Sequence, residues 1–285
     1  MFTSEHFEVM SAVASRVAPE NESKLVELSN KHDFSLLFLK EPGFTFRVNT
    51  KTKVIKIPYG GLEYLWAFSL KAWLLYQAYA QAQLNGERNL DLETIDGYAG
   101  VSQLTEDLKE SLYAENYESN KNFSALINVE KIDQEVATEI FLCALGWIIW
   151  HEIAHIELGH SSLEVNTLSI QEEKDADLYS TNWILSSSTI IAESKKRIVG
   201  ITIALLAIQS LELDSKSCFK GTHPDASNRI FDNLSQHSEI GDEISQAMSI
   251  VMLQSMTKID IAPMDDLNFS DMLGEALYQI NINKR

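Results

Sequence analysis

Apolar and polar residues recur along this chain with two different periods, and the changes of period mark out its elements. Between residues 5 and 32, Phe7, Val9, Met10, Val13 and Val17 return at helical spacing in a polar background, which predicts helix. From 44 to 61 the pattern changes to two runs of β-branched and aromatic residues flanking Asn49-Thr50-Lys51-Thr52, which predicts a hairpin over 44–58. Helical periodicity resumes over Leu62–Leu84, where Trp66, Trp73 and Tyr76 form an aromatic stripe suited to a core. Residues 85–133 are polar and punctuated by Gly86, Gly97 and Gly100, predicting short helices and a solvated, mobile flap over a cleft.

Asp133–Gly159 then reads as one long helix, apolar nearly all round and therefore buried, with Asp133 as its N-cap and Gly159 as its terminator. Ser169–Ser186 predicts a helix with an acidic first turn, and Lys196–Leu213 another buried one. His223-Pro224 opens a segment running to Asn233, and the last 50 residues pattern weakly as helices. No repeat, low-complexity tract or linker interrupts the chain, so a single domain over 1–285 is expected. It divides into an N-terminal lobe (1–132), a core (133–235) and C-terminal helices (236–285). The expected fold class is mainly α (α+β), a helical core with a small antiparallel sheet or hairpin.

Composition narrows the function classes. With 45% hydrophobic and 22% charged residues the chain is ordinary for a soluble globular protein. A net charge of −18 argues against nucleic-acid partners and anionic membranes. Against that background Arg47, Lys51, Lys53 and Lys56 make the hairpin a basic patch, which either blunts an edge strand or touches a substrate. The two cysteines, Cys143 and Cys218, lack the spacing of a metal or redox motif, and Cys143 falls in an apolar run as a buried thiol. The N-terminus lacks the regions of a signal peptide, and the apolar runs Ile140–Trp150 and Ile198–Ile208 are shorter than the roughly 20 residues of a membrane span. A cytoplasmic protein is expected.

The chemistry concentrates in His151–His160, HEIAHIELGH. Four residues apart on a helix, His151 and His155 project from one face and can share a metal ion, with Glu152 beside them to handle a water proton. The bland alternative, unmetallated histidines on a long helix, is costly because polar side chains on a buried helix need partners. A third protein ligand is required. His160, five residues beyond His155, points about 140° away on a continuing helix and is expected at the surface or behind the ligands. The metzincin pattern fails, since Leu158 and Ser161 stand where it needs Gly and His. A carboxylate from the acidic cluster Glu172-Glu173-Lys174-Asp175-Ala176-Asp177, on a second antiparallel helix, completes a two-histidine, one-glutamate site.

Glu173–Asp177 resembles the E-x-x-A-D signature of gluzincin metallopeptidases, specifically the HtpX and CAAX-protease group and the ImmA-like peptidases. That resemblance implies a zincin-like catalytic core that binds Zn2+ through His151, His155 and Glu173. Asp177 would orient a zinc-bound histidine, and Glu172 is the fallback ligand. GTHPDASNRI (221–230) resembles the His-Pro segment that follows the ligands in the HtpX and CAAX-protease group, implying that His223 and Arg229 contact the substrate or the oxyanion. Together these motifs span about 80 of the 285 residues. The chain also resembles the phage-exclusion peptidases of the Lit family, cytoplasmic zinc proteases of similar length. That likeness implies a defence role and a protein or peptide substrate, elongation factor Tu. The expected activity is zinc-dependent peptide hydrolysis with Glu152 as general base, and the hairpin 44–58 is the candidate edge for an added substrate strand. A non-peptidase zinc amidohydrolase and a catalytically silent zinc-binding regulator remain as alternatives.

Overall fold

A computed structural model of the chain describes residues 4–87, 89–118, 126–160, 170–186, 188–214, 226–236, 243–257 and 268–283. Its N-terminal helical stretch is broken into α1 (Ser4–Ser11), α2 (Val13–Arg16) and α3 (Glu22–His32), with Pro19 opening a short 3-10 turn between the last two. Three short strands follow: β1 (Ser35–Leu39), β2 (Arg47–Asn49) and β3 (Val54–Pro58). Strand β3 is central, parallel to β1 and antiparallel to β2, so the predicted hairpin is present but only its β2 arm lies at an edge.

The long helices form the rest: α4 (Tyr59–Leu84), α5 (Tyr98–Ser111), α6 (Lys131–Glu157), α7 (Ile170–Leu185), α8 (Ile191–Glu212), α9 (Ala226–Gln236), α10 (Glu243–Thr257) and α11 (Phe269–Asn283). The fold is thus mainly α with a small mixed sheet. Helix α4 begins three residues before the expected Leu62, because Gly60 and Gly61 let the 42–46 loop lie against its first turn. A Cβ on Gly61 would sit 3.1 Å from the Gly43 carbonyl oxygen and from the Phe46 ring. Helix α5, expected within a mobile flap, buries Tyr98, Val101, Leu104 and Leu108. Its amphipathic face packs it onto α4.

Helix α6 is the axis of the core, contacted by α2, α4, α7 and α8. It starts at Lys131, and Asp133 is not its cap but accepts a hydrogen bond from Trp73 Nε1 at 2.9 Å. By length and composition α6 could cross a membrane, but 78% of its apolar window is buried inside the fold, which accounts for its apolarity. Helix α8 crosses it closely: a Cβ on Gly200 would stand 2.3 Å from Cys143 Cβ, so only glycine fits there. Burial pushes the Cys143 thiol up to about 11, as expected of an inert core cysteine; Cys218 lies outside the described residues. The buried apolar cluster runs from Met10 to Ile280.

Arg197 on α8 ties this frame to the N-terminal segment. Its guanidinium donates to both Glu20 oxygens, to Glu193, and to the Ile184 carbonyl at 2.8 Å. The hydrogen bond from Arg197 holds the Glu20 carboxyl below its ordinary value. A depressed carboxylate contributes stability above its unfolded pKa that is lost as pH falls through the folded one. Arg197→Met should therefore lower unfolding free energy by about 1–3 kcal/mol at pH 7, less than for a fully buried pair because Glu20 is partly solvated. Chemical denaturation should show the gap from wild type narrowing toward pH 3; a gap independent of pH would overturn this reading.

Candidate metal centre

Helices α6 and α7 run antiparallel, and their facing residues pair in steps of four. From α6 come Trp147, His151 and His155, each one turn apart; from α7 come Thr181, Asp177 and Glu173 in the opposite order. Trp147 Nε1 donates to Thr181 Oγ1 at 2.9 Å. His151 Nδ1 lies 2.9 Å from Asp177 Oδ1, and His151 Nε2 lies 3.4 Å from Glu173 Oε2. At the end of the ladder His155 Nε2 is 3.8 Å from Glu173 Oε1. Trp150 stacks on Trp183 with centroids 3.8 Å apart, fixing the rotation of one helix against the other.

His151, His155 and Glu173 present ligand atoms that all lie within 4.8 Å of one another, and all three residues are buried. His151 Nε2 and His155 Nε2 are 3.1 Å apart. Donors about 2.0–2.1 Å from a tetrahedral metal ion sit about 3.3 Å from each other. The 3.1 Å between the two Nε2 atoms and the 3.4 Å from His151 to Glu173 Oε2 lie close to that value, and the 3.8 Å from His155 is to the other carboxylate oxygen, so the three residues suit a metal ion of that size held through either Glu173 oxygen or both. Glu173 is 1% exposed and closes this triangle, whereas Glu172 is half-buried and outside it. Glu152 is buried on α6 beside His151, three residues before His155 and so on a shared face.

Partners behind the donors come from three elements. Gly159, with φ of 68°, ends α6 in a left-handed turn in which His160 N–H donates to the His155 carbonyl at 3.0 Å. The helix does not continue, and the turn brings His160 Nδ1 to 2.8 Å from His155 Nδ1. His160 thus stands behind His155, one of the two places expected of it. Arg229, on α9, was expected at the substrate oxyanion; its Nε and Nη2 instead donate to the two Asp177 oxygens, each at 2.7 Å. Its guanidinium also lies over the Trp147 ring, 5.8 Å from the centroid. Thr181 Oγ1 donates to Asn233 Oδ1 at 2.6 Å, and Asn233 Nδ2 to the Arg229 carbonyl at 3.0 Å, closing the network. Trp147, Thr181 and Asn233 were not singled out from the sequence, although Trp147 and Thr181 continue the i, i+4 rows of His151 and Asp177. His223 lies outside the described residues.

Electrostatics follow from this arrangement. Burial works against the charges of Asp177 and Arg229, yet each holds the other ionised, Asp177 below and Arg229 above its ordinary value. At His151 burial opposes the proton, but Asp177 and Glu173 outweigh it and lift the pKa to about 10. At His155 burial, with the neighbouring His151 cation, drives it down to about 3. The cationic ring is thus favoured at His151, which faces both carboxylates, and disfavoured at His155 beside it.

This chemistry agrees with what the chain resembles. It matches the peptidase U49 family over residues 55–249, a span containing α6, α7 and the described part of α9. It is also 34% identical over 288 residues to the cell death peptidase of Escherichia coli strain K12, covering 96% of each chain. No solved structure matches it. Because the family match covers both helices of the donor cluster and the likeness to that peptidase extends nearly end to end, the chain belongs to the peptidase U49 family.

Proposed function

We propose that this peptidase is a zinc-dependent endopeptidase of the gluzincin type acting on an intracellular protein. The observation that carries the reading is the convergence of His151 Nε2, His155 Nε2 and the Glu173 carboxylate, whose ligand atoms lie within 4.8 Å of one another on buried side chains. Bound there, Zn2+ would supply Lewis acidity toward the scissile carbonyl and an attacking water. Glu152 takes the water proton on its carboxylate and returns it to the leaving amine nitrogen. Asp177 holds the His151 ring through Nδ1, and His160 does the same for His155, so both Nε2 atoms stay aimed at one point. Arg229 is a positioning residue in this account, compensating Asp177 rather than touching substrate. His223, outside the described residues, keeps the oxyanion role that the motif resemblance implies. The relative's name, a cell death peptidase, supports proteolysis whose outcome is the death of the cell. The resemblance to phage-exclusion peptidases makes elongation factor Tu the first substrate to test.

Glu152→Gln should keep stoichiometric zinc and lower cleavage by about 10²–10⁴-fold, read by mass spectrometry of products in a bacterial extract. Glu173→Ala should lose the metal while Glu172→Ala keeps it; the reverse would move the ligand by one residue.

Metal binding requires both rings in the neutral form, and against burial Asp177 and Glu173 favour the cationic form of His151, lifting its pKa to about 10. Zinc uptake at pH 7.5 should release about one proton, and apparent affinity should rise about tenfold per pH unit through neutrality. Calorimetric titration in buffers of different ionisation enthalpy measures this; no proton release between pH 6 and 9 would refute it.

Arg229→Met leaves Asp177 buried without its main cation, a change worth about 3–5 kcal/mol of stability. It should weaken zinc about 10–100-fold, and Arg229→Lys should recover part of that affinity. Full zinc affinity in Arg229→Met, with activity lost, would return Arg229 to the oxyanion.

A further inference from the structure

The outer face of the sheet carries a basic surface that neither core packing nor edge protection explains. Residues paired across the strands share a face, and Leu37, Lys56 and Arg47 form one row across β1, β3 and β2. Ile55 and Ile57 point the other way and are fully buried, so this row is the solvent side; Leu37 and Arg47 are exposed. Lysine on an edge strand deters unwanted pairing, but β3 is the central strand, so edge protection cannot account for Lys56. Arg47 and Lys56 are direct cross-strand neighbours, a like-charge pairing that destabilises a sheet. Lys51 and Lys53 extend the surface into the turn between β2 and β3, with Lys53 in the left-handed region at φ 56°. Arg47 has Glu41 as a partial counter-ion at 3.3 Å. The chain as a whole carries −18, so these four cations are concentrated against the prevailing sign.

The patch lies next to the metal centre through a short series of contacts. Ser35 N–H donates to the Lys53 carbonyl at 3.0 Å, placing the basic turn at the start of β1. Three residues earlier, His32 pairs with Glu157, and Lys31 Nζ reaches the same carboxylate at 2.9 Å. Glu157 is two residues beyond His155 on α6. One end of the sheet therefore borders the metal-bearing end of α6.

We propose that the outer sheet face, Arg47, Lys51, Lys53 and Lys56 around Leu37, is an exosite that docks an acidic segment of the protein substrate. The inference rests on the proteolytic reading of the metal centre and deepens it. Charge complementarity selects the occupant: the four cations suit an acidic segment, two whole chains of −18 each repel one another overall, and the paired residues of this face include no aromatic ring on which nucleic-acid bases could stack. Leu37 in the middle of the row suits a polypeptide that places an apolar side chain among its acids. Such a surface raises the encounter rate and holds the substrate beside the site without taking part in chemistry.

The test is fluorescence anisotropy with a labelled deca-glutamate peptide at low ionic strength, on the zinc-loaded full chain. Wild type should bind it with an affinity that falls steeply with salt. Lys51→Gln/Lys53→Gln/Lys56→Gln should bind about tenfold or more weakly, with its zinc content unchanged, while Lys195→Gln, on α8, should bind as wild type does. Equal binding by the triple variant and wild type overturns the exosite, as does tighter binding of a deca-thymidylate probe than of the peptide. Glu152→Gln should bind the peptide normally. If Glu173→Ala lost no metal but the triple variant still lost the peptide, the metal assignment would fail and the exosite would stand.

Discussion

Everything at the centre of this molecule depends on one antiparallel contact, the polar ladder between α6 and α7. Trp147, His151 and His155 face Thr181, Asp177 and Glu173 across a buried seam. Polar groups in such a seam are costly unless each finds a partner, so the register of the two helices is fixed by chemistry as well as by shape. A slip by one residue would rotate every donor away from its acceptor by about 100°. The Trp150–Trp183 stack and the α6–α8 crossing at Gly200 hold that register from either side. Helix α9 seals it with Arg229, which is why a residue far along the chain belongs to the same unit.

The ladder was readable in the sequence only as two separate motifs. HEIAH marks its α6 side because the i, i+4 spacing is local, and Glu173 with Asp177 marks the α7 side for the same reason. The partners behind them were legible only in part. His160 was placed by assuming a continuing helix, but Gly159 ends it in a left-handed turn and the imidazole comes back to His155. Arg229 sits where the motif expects it, yet its direction depends on how α9 packs, and that is tertiary information. The hairpin was correctly located, whereas β1 was missed. Ser35–Leu39 pairs parallel to β3 across a connection that contains β2, and such a partner leaves no signature in local pattern. The aromatic and glycine pattern of 44–61 spans more than the strands, since Phe44 and Phe46 serve the packing around α4.

The N-terminal segment is joined to the centre by ion pairs as well as by apolar contact. Arg197 links α8 to Glu20, and Lys31 with His32 grips Glu157 near the end of α6. Trp150 Nε1 donates to the Ala14 carbonyl at 3.0 Å. The segment preceding the sheet is thereby fixed at three places, two on α6 and one on α8, and the sheet inherits its position from them. A basic face held this way keeps a constant relation to the active site, which an exosite requires.

The charge balance of the core is the final constraint. Among the described residues around the donor cluster Glu152, Glu173 and Asp177 are buried, and Arg229 is a buried cation paired with Asp177. Among the described residues the acidic groups of this cluster outnumber its guanidinium, in a region of low dielectric where like charges repel strongly. A protein tolerates such an excess only if something returns the charge toward zero. Part of that excess is met at His151, where burial disfavours the cationic ring but Asp177 and Glu173 favour it and raise its pKa to about 10. A metal ion among the three donors would meet the same excess. The carboxylates that raise the His151 pKa therefore also favour a cation among the donors, and Arg229, by pairing with Asp177, leaves Glu173 to face it.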